Sequence, residues 1–156
     1  MSRSELDSID HRILSLLVND ARKPFLEIAR ECGISGAAIH QRVNKLEASG
    51  VITGSRLLVK PSAIGMGVCA FVCVSISEAT KYHEVINALE AVPEVVECHF
   101  ITGKYSLLLK VYCKDNDHFI DVLLHRIQTV PYVQETETMI ALDTAFERQV
   151  FIKDSL

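Results

Sequence analysis

The sequence predicts an α+β protein with a helical N-terminal domain and a C-terminal domain of mixed strands and helices. Apolar residues recur at helical spacing through the first fifty residues. Later segments alternate between short apolar runs typical of strands and further helical patterns. A proline and two glycines fall between these regions and predict a hinge at 61–67. We therefore expect two domains, residues 1–60 and residues 68–156.

Composition limits the class of protein. The 156 residues are 49% hydrophobic and 23% charged, which is typical of a folded soluble chain. No apolar run approaches the length of a membrane span and no secretory leader is present, so we expect a cytoplasmic protein. The five cysteines are an odd number without C-x-x-C spacing. They indicate reduced thiols, and we predict no metal site.

Charge is unevenly distributed along the chain. The net charge is −4, yet residues 1–60 hold nine basic against seven acidic residues, and residues 61–156 hold seven against thirteen. Between 35 and 60 the ratio is four basic to one acidic. This modest local excess predicts that any affinity for DNA needs several copies of the chain acting together.

Three helices are expected in the first fifty residues. The first carries apolar residues at helical spacing from Leu6 to Leu17, with Ser4 or Asp7 as a possible cap. Pro24 opens a second, short helix that ends at Gly33. A third helix follows at once, so the pattern is that of a helix-turn-helix. The extended segment 55–60 after it completes a winged helix-turn-helix.

The third helix has the features of a DNA-recognition helix. Ser35 is a suitable N-cap and Gly50 lies just past the last periodic residue. An apolar stripe on one side leaves small, amide and cationic groups on the other, which suit base edges and phosphates. The candidate DNA contacts are Ser35, Ala38, Gln41, Arg42, Lys45, Arg56 and Lys60. The alternatives are an ordinary amphipathic surface helix or a module that docks only on protein.

The C-terminal domain has the order βαββαβ, which predicts a ferredoxin-like sheet with both helices on one face. The expected strands are 68–76, 95–102, 106–113 and 135–142, and the expected helices are 80–91 and 116–129. Such a sheet leaves its second face to be covered. Five apolar strand residues suggest that another copy covers it, and hence a homodimer. These are Val72, Val74, Leu107, Leu109 and Val111.

The whole chain resembles the Lrp/AsnC family, the feast/famine transcription regulators. The resemblance is carried by Ile9-Asp-His-Arg-Ile-Leu14, Arg42-Val-Asn-Lys-Leu-Glu47, Gly50-Val-Ile52 and Thr102-Gly103. Within the family the chain is most similar to the AsnC-like, asparagine-responsive members. The resemblance implies a C-terminal ligand-binding (RAM) domain that binds an amino acid where dimers meet in a ring, often an octamer. Double-stranded DNA and further copies of the chain are the implied partners.

The candidate effector site combines a hairpin with a helix end and a strand. Many family members have an aspartate where this chain has Ser106. A hydroxyl both donates and accepts hydrogen bonds, which favours an uncharged amide such as asparagine. The candidate effector residues are Thr102, Gly103, Tyr105, Ser106, Gln128, Thr136 and Thr138. The alternative is that these residues are ordinary strand and hairpin residues.

Two other functions remain open from the sequence. An architectural protein would bind DNA without an effector. Enzymes that resemble this family decarboxylate sirohaem, but the chain has no nucleotide-binding loop and no activated nucleophile. Its His118 and His125 lack the chelating i, i+4 spacing. We therefore expect a regulator that is not an enzyme and needs no cofactor.

Overall fold

The computed structural model describes residues 6–153 and divides them into two compact units. The first unit contains the residues up to Leu57 together with those from Phe146 onward. The second unit is Leu58–Ala145. The C-terminal segment, which we assigned to the second domain, thus groups with the N-terminal helices. No helix in this part of the chain is long and apolar enough to cross a membrane.

The first unit is a three-helix domain whose first helix has a reciprocal cap. The helices are α1 (Ser8–Asn19), α2 (Phe25–Cys32) and α3 (Gly36–Ala48). The Asp7 carboxylate accepts from the Asp10 amide at 2.8 Å, and the Asp10 carboxylate accepts from the Asp7 amide at 3.3 Å. This capping box satisfies two backbone donors at the start of α1. The alternative cap, Ser4, lies outside the described residues.

The turn between α2 and α3 makes the predicted helix-turn-helix. Gly33 ends α2 in the left-handed region, with φ of 67°, where glycine carries no steric penalty. The Ser35 hydroxyl caps α3 by accepting from the Ala38 amide at 3.2 Å. Ile13, Ile28 and Ile39 place one fully buried side chain from each helix in the core.

The segment that follows α3 contains no strand. Residues 53–60 have no regular secondary structure, and a short 3-10 turn follows at Pro61–Ile64. The helix-turn-helix is therefore confirmed, but the described residues after it do not form a wing of paired strands.

The second unit is the predicted ferredoxin-like fold. Its strands are β1 (Val68–Ile76), β2 (Val95–Phe100), β3 (Leu107–Cys113) and β4 (Val133–Ala141). They form one sheet in the order β2-β3-β1-β4, and every neighbouring pair is antiparallel. The second strand ends two residues earlier than expected, so residues 101–106 connect β2 to β3.

The two helices of the second unit connect these strands. α4 (Tyr82–Glu90) follows a 3-10 turn, and α5 (Asn116–Val122) continues directly into a π-helical turn over Leu123–Ile127. The Asp115 carboxylate caps α5 by accepting from the His118 amide at 2.8 Å. The π turn is a local widening of the helix that spacing alone did not predict.

The prediction that five apolar strand residues lie on the open face of the sheet is wrong. Val72, Val74, Leu107, Leu109 and Val111 are all 0% exposed within the single chain. They pack in one core with residues of the two helices, among them Val85, Leu89 and Val122. Because side chains alternate along a strand, these residues belong to the face that the helices cover. The opposite face carries their neighbours, including the cross-strand pair Phe71 and Met139.

The C-terminal segment contributes one side chain to the core of the first unit. Ile152 is partly buried against the helix-turn-helix core. Its neighbours Val150 and Phe151 are 76% and 89% exposed. Ile152 therefore packs on the core of this unit, whereas Val150 and Phe151 remain open to solvent.

Replacing Ile152 tests this contact. We expect Ile152→Ala to lower the free energy of unfolding by about 1 kcal/mol, because a partly buried aliphatic side chain is removed. Phe151→Ala is the matched control, because that side chain is exposed, and should change stability by less than about 0.5 kcal/mol. Urea unfolding followed by circular dichroism measures both. Equal effects of the two substitutions would contradict the packing of Ile152.

Candidate functional site

The exposed side of α3 carries the candidate DNA contacts. Gln41 and Lys45 are exposed and four residues apart, so they lie on one side of the helix. Ala38 is half-buried one turn earlier. Ser35 is exposed, but its hydroxyl is the cap of the helix. This surface presents an amide, an ammonium and small residues together, which suits close approach to a duplex.

Arg42 lies on the same helix but makes contacts inside the unit. Its Nη1 donates to Oδ2 of Asp7 at 2.7 Å and to Oδ1 of Asp10 at 2.7 Å. The Asp10 side chain is only 8% exposed, whereas Arg42 is 29% exposed. The guanidinium therefore joins α3 to the capping box of α1. The sequence placed Arg42 among the DNA contacts, and the structure gives it two partners within the protein.

The pKa values of this cluster reflect its hydrogen bonds. The backbone amide of Asp10, and then the Arg42 guanidinium, lower the pKa of Asp7 below its ordinary value of 3.8. The two carboxylates, Asp7 first, raise the pKa of Arg42. Both shifts favour the charged forms, so the ion pairs persist at neutral pH.

The second helix of the motif is held by aromatic and ionic contacts. The rings of Phe25 and His40 meet edge to face with centroids 4.6 Å apart, which joins α2 to α3. Glu31 of α2 forms ion pairs with Arg12 at 3.0 Å and with Lys23. His40 thus has a packing contact within the motif.

The two basic residues beyond α3 are open to solvent. Arg56 and Lys60 are both exposed in the segment without regular structure. Within residues 6–153 neither side chain has a hydrogen bond or an ion pair. They keep their charges available for a polyanion.

The β2–β3 connection forms a tight turn at one end of the sheet. The Ile101 amide donates to the Ser106 carbonyl at 3.0 Å, and the Ser106 amide donates to the Val74 carbonyl at 2.9 Å. Gly103 has φ of 118°, in the region that favours glycine. Thr102 and Gly103 are exposed at the tip. The turn thus presents exposed backbone beside the end of β1.

Gln128 and Thr136 meet at the same end of the sheet. The Gln128 amide nitrogen donates to the Thr136 hydroxyl at 2.8 Å. The π turn places Gln128, because its backbone amide donates to the Leu123 carbonyl five residues earlier at 2.9 Å. Thr136 is opposite Val74 and Thr138 is opposite Val72. Both threonines therefore share the helix-covered face of the sheet.

Tyr105 makes its contact on the other face. Its hydroxyl donates to Glu137, which is opposite Cys73 and so points away from the helices. Lys104 donates to the Tyr105 hydroxyl at 2.9 Å and to Glu135 at 3.4 Å. The bond to Glu137 raises the pKa of Tyr105, and the bond to Tyr105 raises the pKa of Lys104. The seven candidate effector residues are thus divided between the two faces of one sheet end.

The ion network of Lys104, Glu135 and Glu137 was not predicted from the sequence. The sequence did contain a sign of the two glutamates sharing a face, because both alternate with the predicted threonines along the last strand. Alternation sends them to the opposite face. The proximity of Lys104 to them required the strand order, which brings the hairpin turn and β4 to one end of the sheet.

A cavity of about 390 Å³ lies beside the hairpin. Its lining includes Ser106 together with Ile76, Tyr82 and Phe100. The Tyr82 and Phe100 rings meet edge to face with centroids 4.9 Å apart. Gln128 and the two threonines do not line this space. Ser106 therefore borders an aromatic cavity rather than the Gln128–Thr136 pair.

All five cysteines are reduced thiols. Within the described residues, no group of three or more histidine, cysteine, aspartate or glutamate residues could hold a metal ion. Cys113 is fully buried, and burial raises its pKa to about 11. That thiol is protonated at neutral pH and is a poor nucleophile.

Comparison with known proteins agrees with both units. Residues 6–47 match the AsnC-type helix-turn-helix domain, and residues 69–151 match the Lrp/AsnC ligand binding domain. The regulatory protein AsnC of Haemophilus influenzae is 37% identical over 145 residues, which cover 93% of this chain and 97% of the relative.

Solved structures show the same similarity. The structure of Escherichia coli AsnC matches with a TM-score of 0.86 at 36% identity, over 94% of this chain and 98% of that one. The feast or famine regulatory protein of Mycobacterium tuberculosis, complexed with L-methionine, matches with a TM-score of 0.88 at 31% identity. That match covers 96% of this chain and 100% of the other.

A helix-turn-helix followed by a ligand-binding α+β unit defines a transcriptional regulator. The chain belongs to the Lrp/AsnC family. Its relatives are named as regulators, which agrees with the expectation from the sequence.

The ion pair of Asp7 predicts a pH dependence of stability. Because the folded-state pKa of Asp7 is lowered, its contribution is present above pH 4 and is lost as the pH falls through the lowered value. We expect Asp7→Asn to cost about 0.5 kcal/mol at pH 7, since Asp7 is half exposed and asparagine still caps the helix.

Urea unfolding of both proteins between pH 7 and pH 3 measures this contribution. The difference between wild type and Asp7→Asn should narrow below about pH 4. A difference that stays constant or widens as the pH falls would contradict the ion pair.

Proposed function

We propose that this regulator reads operator DNA with α3 and responds to an amino acid bound by its second unit, with asparagine as the first candidate. The observation that carries the effector proposal is the 2.8 Å bond between Gln128 and Thr136. This hydrogen bond joins two of the residues that the sequence predicted as effector contacts. Because such a regulator meets its operators on the chromosome, we propose that it acts in the cytoplasm.

The proposed DNA contacts are the exposed residues of α3 and the segment after it. Gln41 supplies an amide for a base edge, and Lys45 supplies an ammonium for a phosphate. Ala38 permits close approach, and Ser35 lies at the helix start. Arg56 and Lys60 are proposed phosphate contacts because both are exposed cations without partners in the described part of the chain.

The proposed effector site lies at the sheet end that carries the 101–106 turn. Exposed backbone at Thr102 and Gly103 suits a carboxylate, since successive amides can form an anion-binding turn. The Gln128–Thr136 pair offers an amide and a hydroxyl to a polar side chain. The L-methionine complex of the mycobacterial relative supports an amino acid as the class of effector.

Because Tyr105 and the Gln128–Thr136 pair are on opposite faces, one chain does not surround a ligand with all seven residues. We propose that neighbouring copies complete the site, as the family resemblance implies. In this arrangement dimers meet in a larger ring, and an octamer is the proposed size of that ring. An effector at the junction alters the spacing of the α3 pairs and so the affinity for an operator.

A second copy is proposed to cover the open face of the sheet. Met139 is 48% exposed on that face, and its cross-strand partner Phe71 is half-buried. Light scattering coupled to size-exclusion chromatography measures the resulting assembly. A monomer at all concentrations tested would contradict this part of the proposal.

Lys45→Ala tests the proposed phosphate contact. We expect it to weaken binding to specific and non-specific duplexes alike and to reduce the salt slope of log K by about 1. Lys81→Ala is the control, because it removes the same charge from the second unit, where Lys81 pairs with Glu84. Fluorescence anisotropy at several salt concentrations gives both slopes. An unchanged slope for Lys45→Ala would remove this contact.

Thermal shift across the twenty amino acids tests the effector. A ligand at a hundred times its Kd adds about 2.7 kcal/mol to stability, which raises the melting temperature by several degrees. We expect asparagine to give the largest shift. If none of the twenty changes the melting temperature, the effector proposal fails, and an architectural role is favoured.

Two substitutions localise the response. Gln128→Ala and Ser106→Asp should each abolish or change the amino-acid preference without unfolding the protein. Ser62→Asp is the matched control, because it adds the same carboxylate on an exposed turn outside the proposed site. Calorimetric titration with asparagine, glutamine, leucine, methionine and lysine measures the preference. An unaltered profile for both variants would place the effector elsewhere.

A further inference from the structure

We infer that Arg42 is a positioning residue, which orients α3 through Asp7 and Asp10 and does not itself contact DNA. The inference rests on the proposed function, in which α3 reads the duplex. It changes the role that the sequence gave to Arg42, since arginine on a recognition helix is ordinarily taken as a base or phosphate contact.

The geometry commits one nitrogen of Arg42 to two acceptors. Nη1 is 2.7 Å from an oxygen of Asp7 and 2.7 Å from an oxygen of Asp10. The same two carboxylates form the capping box that starts α1. A displacement of the guanidinium would therefore disturb both the ion pairs and the cap.

Burial explains why Arg42 stays with these carboxylates. Asp10 is the one buried charged residue among those that the structure describes. In the described part of the chain, the only ion pair of Asp10 is the one with Arg42. Rotating Arg42 toward a phosphate would leave a buried carboxylate unpaired, which is costlier than the gain from one solvent-exposed contact.

The two ion pairs of Arg42, which we call the tether, lie on α3 next to residues of the proposed reading surface. Arg42 is the residue after Gln41 and lies three residues before Lys45 on α3. Hydrogen bonds to base edges need donor–acceptor distances near 3 Å, so a small tilt of α3 removes them. A flexible lysine on a phosphate tolerates such a tilt. Loss of the tether should thus reduce discrimination between sequences more than general affinity.

Other contacts keep α3 in the fold when the tether is lost. Ile39, Val43 and Leu46 remain buried in the core, and His40 packs on Phe25. Variants of the tether are therefore expected to fold, which circular dichroism at the assay temperature verifies.

The experiment uses the full chain and two duplexes: one selected from a random library with the wild type, and a scrambled duplex of the same composition. Affinities are measured over a series of salt concentrations and corrected for the folded fraction. The variants are Arg42→Met, which keeps the apolar stem, and Asp10→Asn. Glu47→Gln is the matched control, since it removes an exposed negative charge from α3 itself.

The expected result for Arg42→Met is a loss of roughly tenfold in the ratio of specific to scrambled binding, with the salt slope unchanged. Asp10→Asn should lower the same ratio, although removing a negative charge would by itself favour DNA binding. Glu47→Gln should leave the ratio unchanged. Two substitutions that each remove an anion are thus expected to differ in their effect on the ratio, which separates positioning from net charge.

Three results would overturn the inference. A salt slope reduced by about 1 in Arg42→Met, with the ratio unchanged, would make Arg42 a phosphate contact. Wild-type affinity of both variants after correction for folding would make the cluster structural only. Absence of any selected duplex for the wild type would overturn the proposed function itself, and this inference with it.

Discussion

The register between β1 and β4 is the constraint on which the candidate effector site depends. It places Thr136 opposite Val74 and Thr138 opposite Val72, so both hydroxyls share a face with the core. Side chains alternate with a period of two, and a slip of one residue would exchange them for Glu135 and Glu137. That slip is disfavoured because it would turn two glutamate carboxylates toward the face that the helices cover. Packing of the core thereby fixes the chemistry at the end of the sheet.

Most of the fold could be predicted because its signals are local. Caps at Asp7 and Ser35 and the left-handed glycine at position 33 act within a few residues, and each is among the positions that the sequence analysis named. The order βαββαβ followed from periodicity and from turn residues. The π turn over Leu123–Ile127 could not be predicted in this way, because its first and last residues are four positions apart, a spacing that an ordinary α-helix also gives.

Two things could not be predicted from the sequence: which side of an element a residue takes and which partner it finds. The apolar strand residues were assigned to an open face because both faces of β1 are rich in apolar groups, and only the helices decide which one they cover. The pairing of Arg42 with Asp10 could not be predicted because the two residues are thirty-two positions apart in the sequence. The kinds of side chain at the site could thus be predicted from the sequence, whereas the partner of each side chain depends on the fold.

The contribution of Ile152 means that the DNA-binding unit is not a continuous stretch of sequence. The chain leaves this unit after Leu57, builds the sheet, and returns at Phe146 to finish it. An excised N-terminal fragment would lack its last stabilising side chain, so grafting these helices onto another sensor requires carrying the tail as well. Exchange of modules between relatives is correspondingly easier when the whole insert 58–145 is replaced between its two junctions.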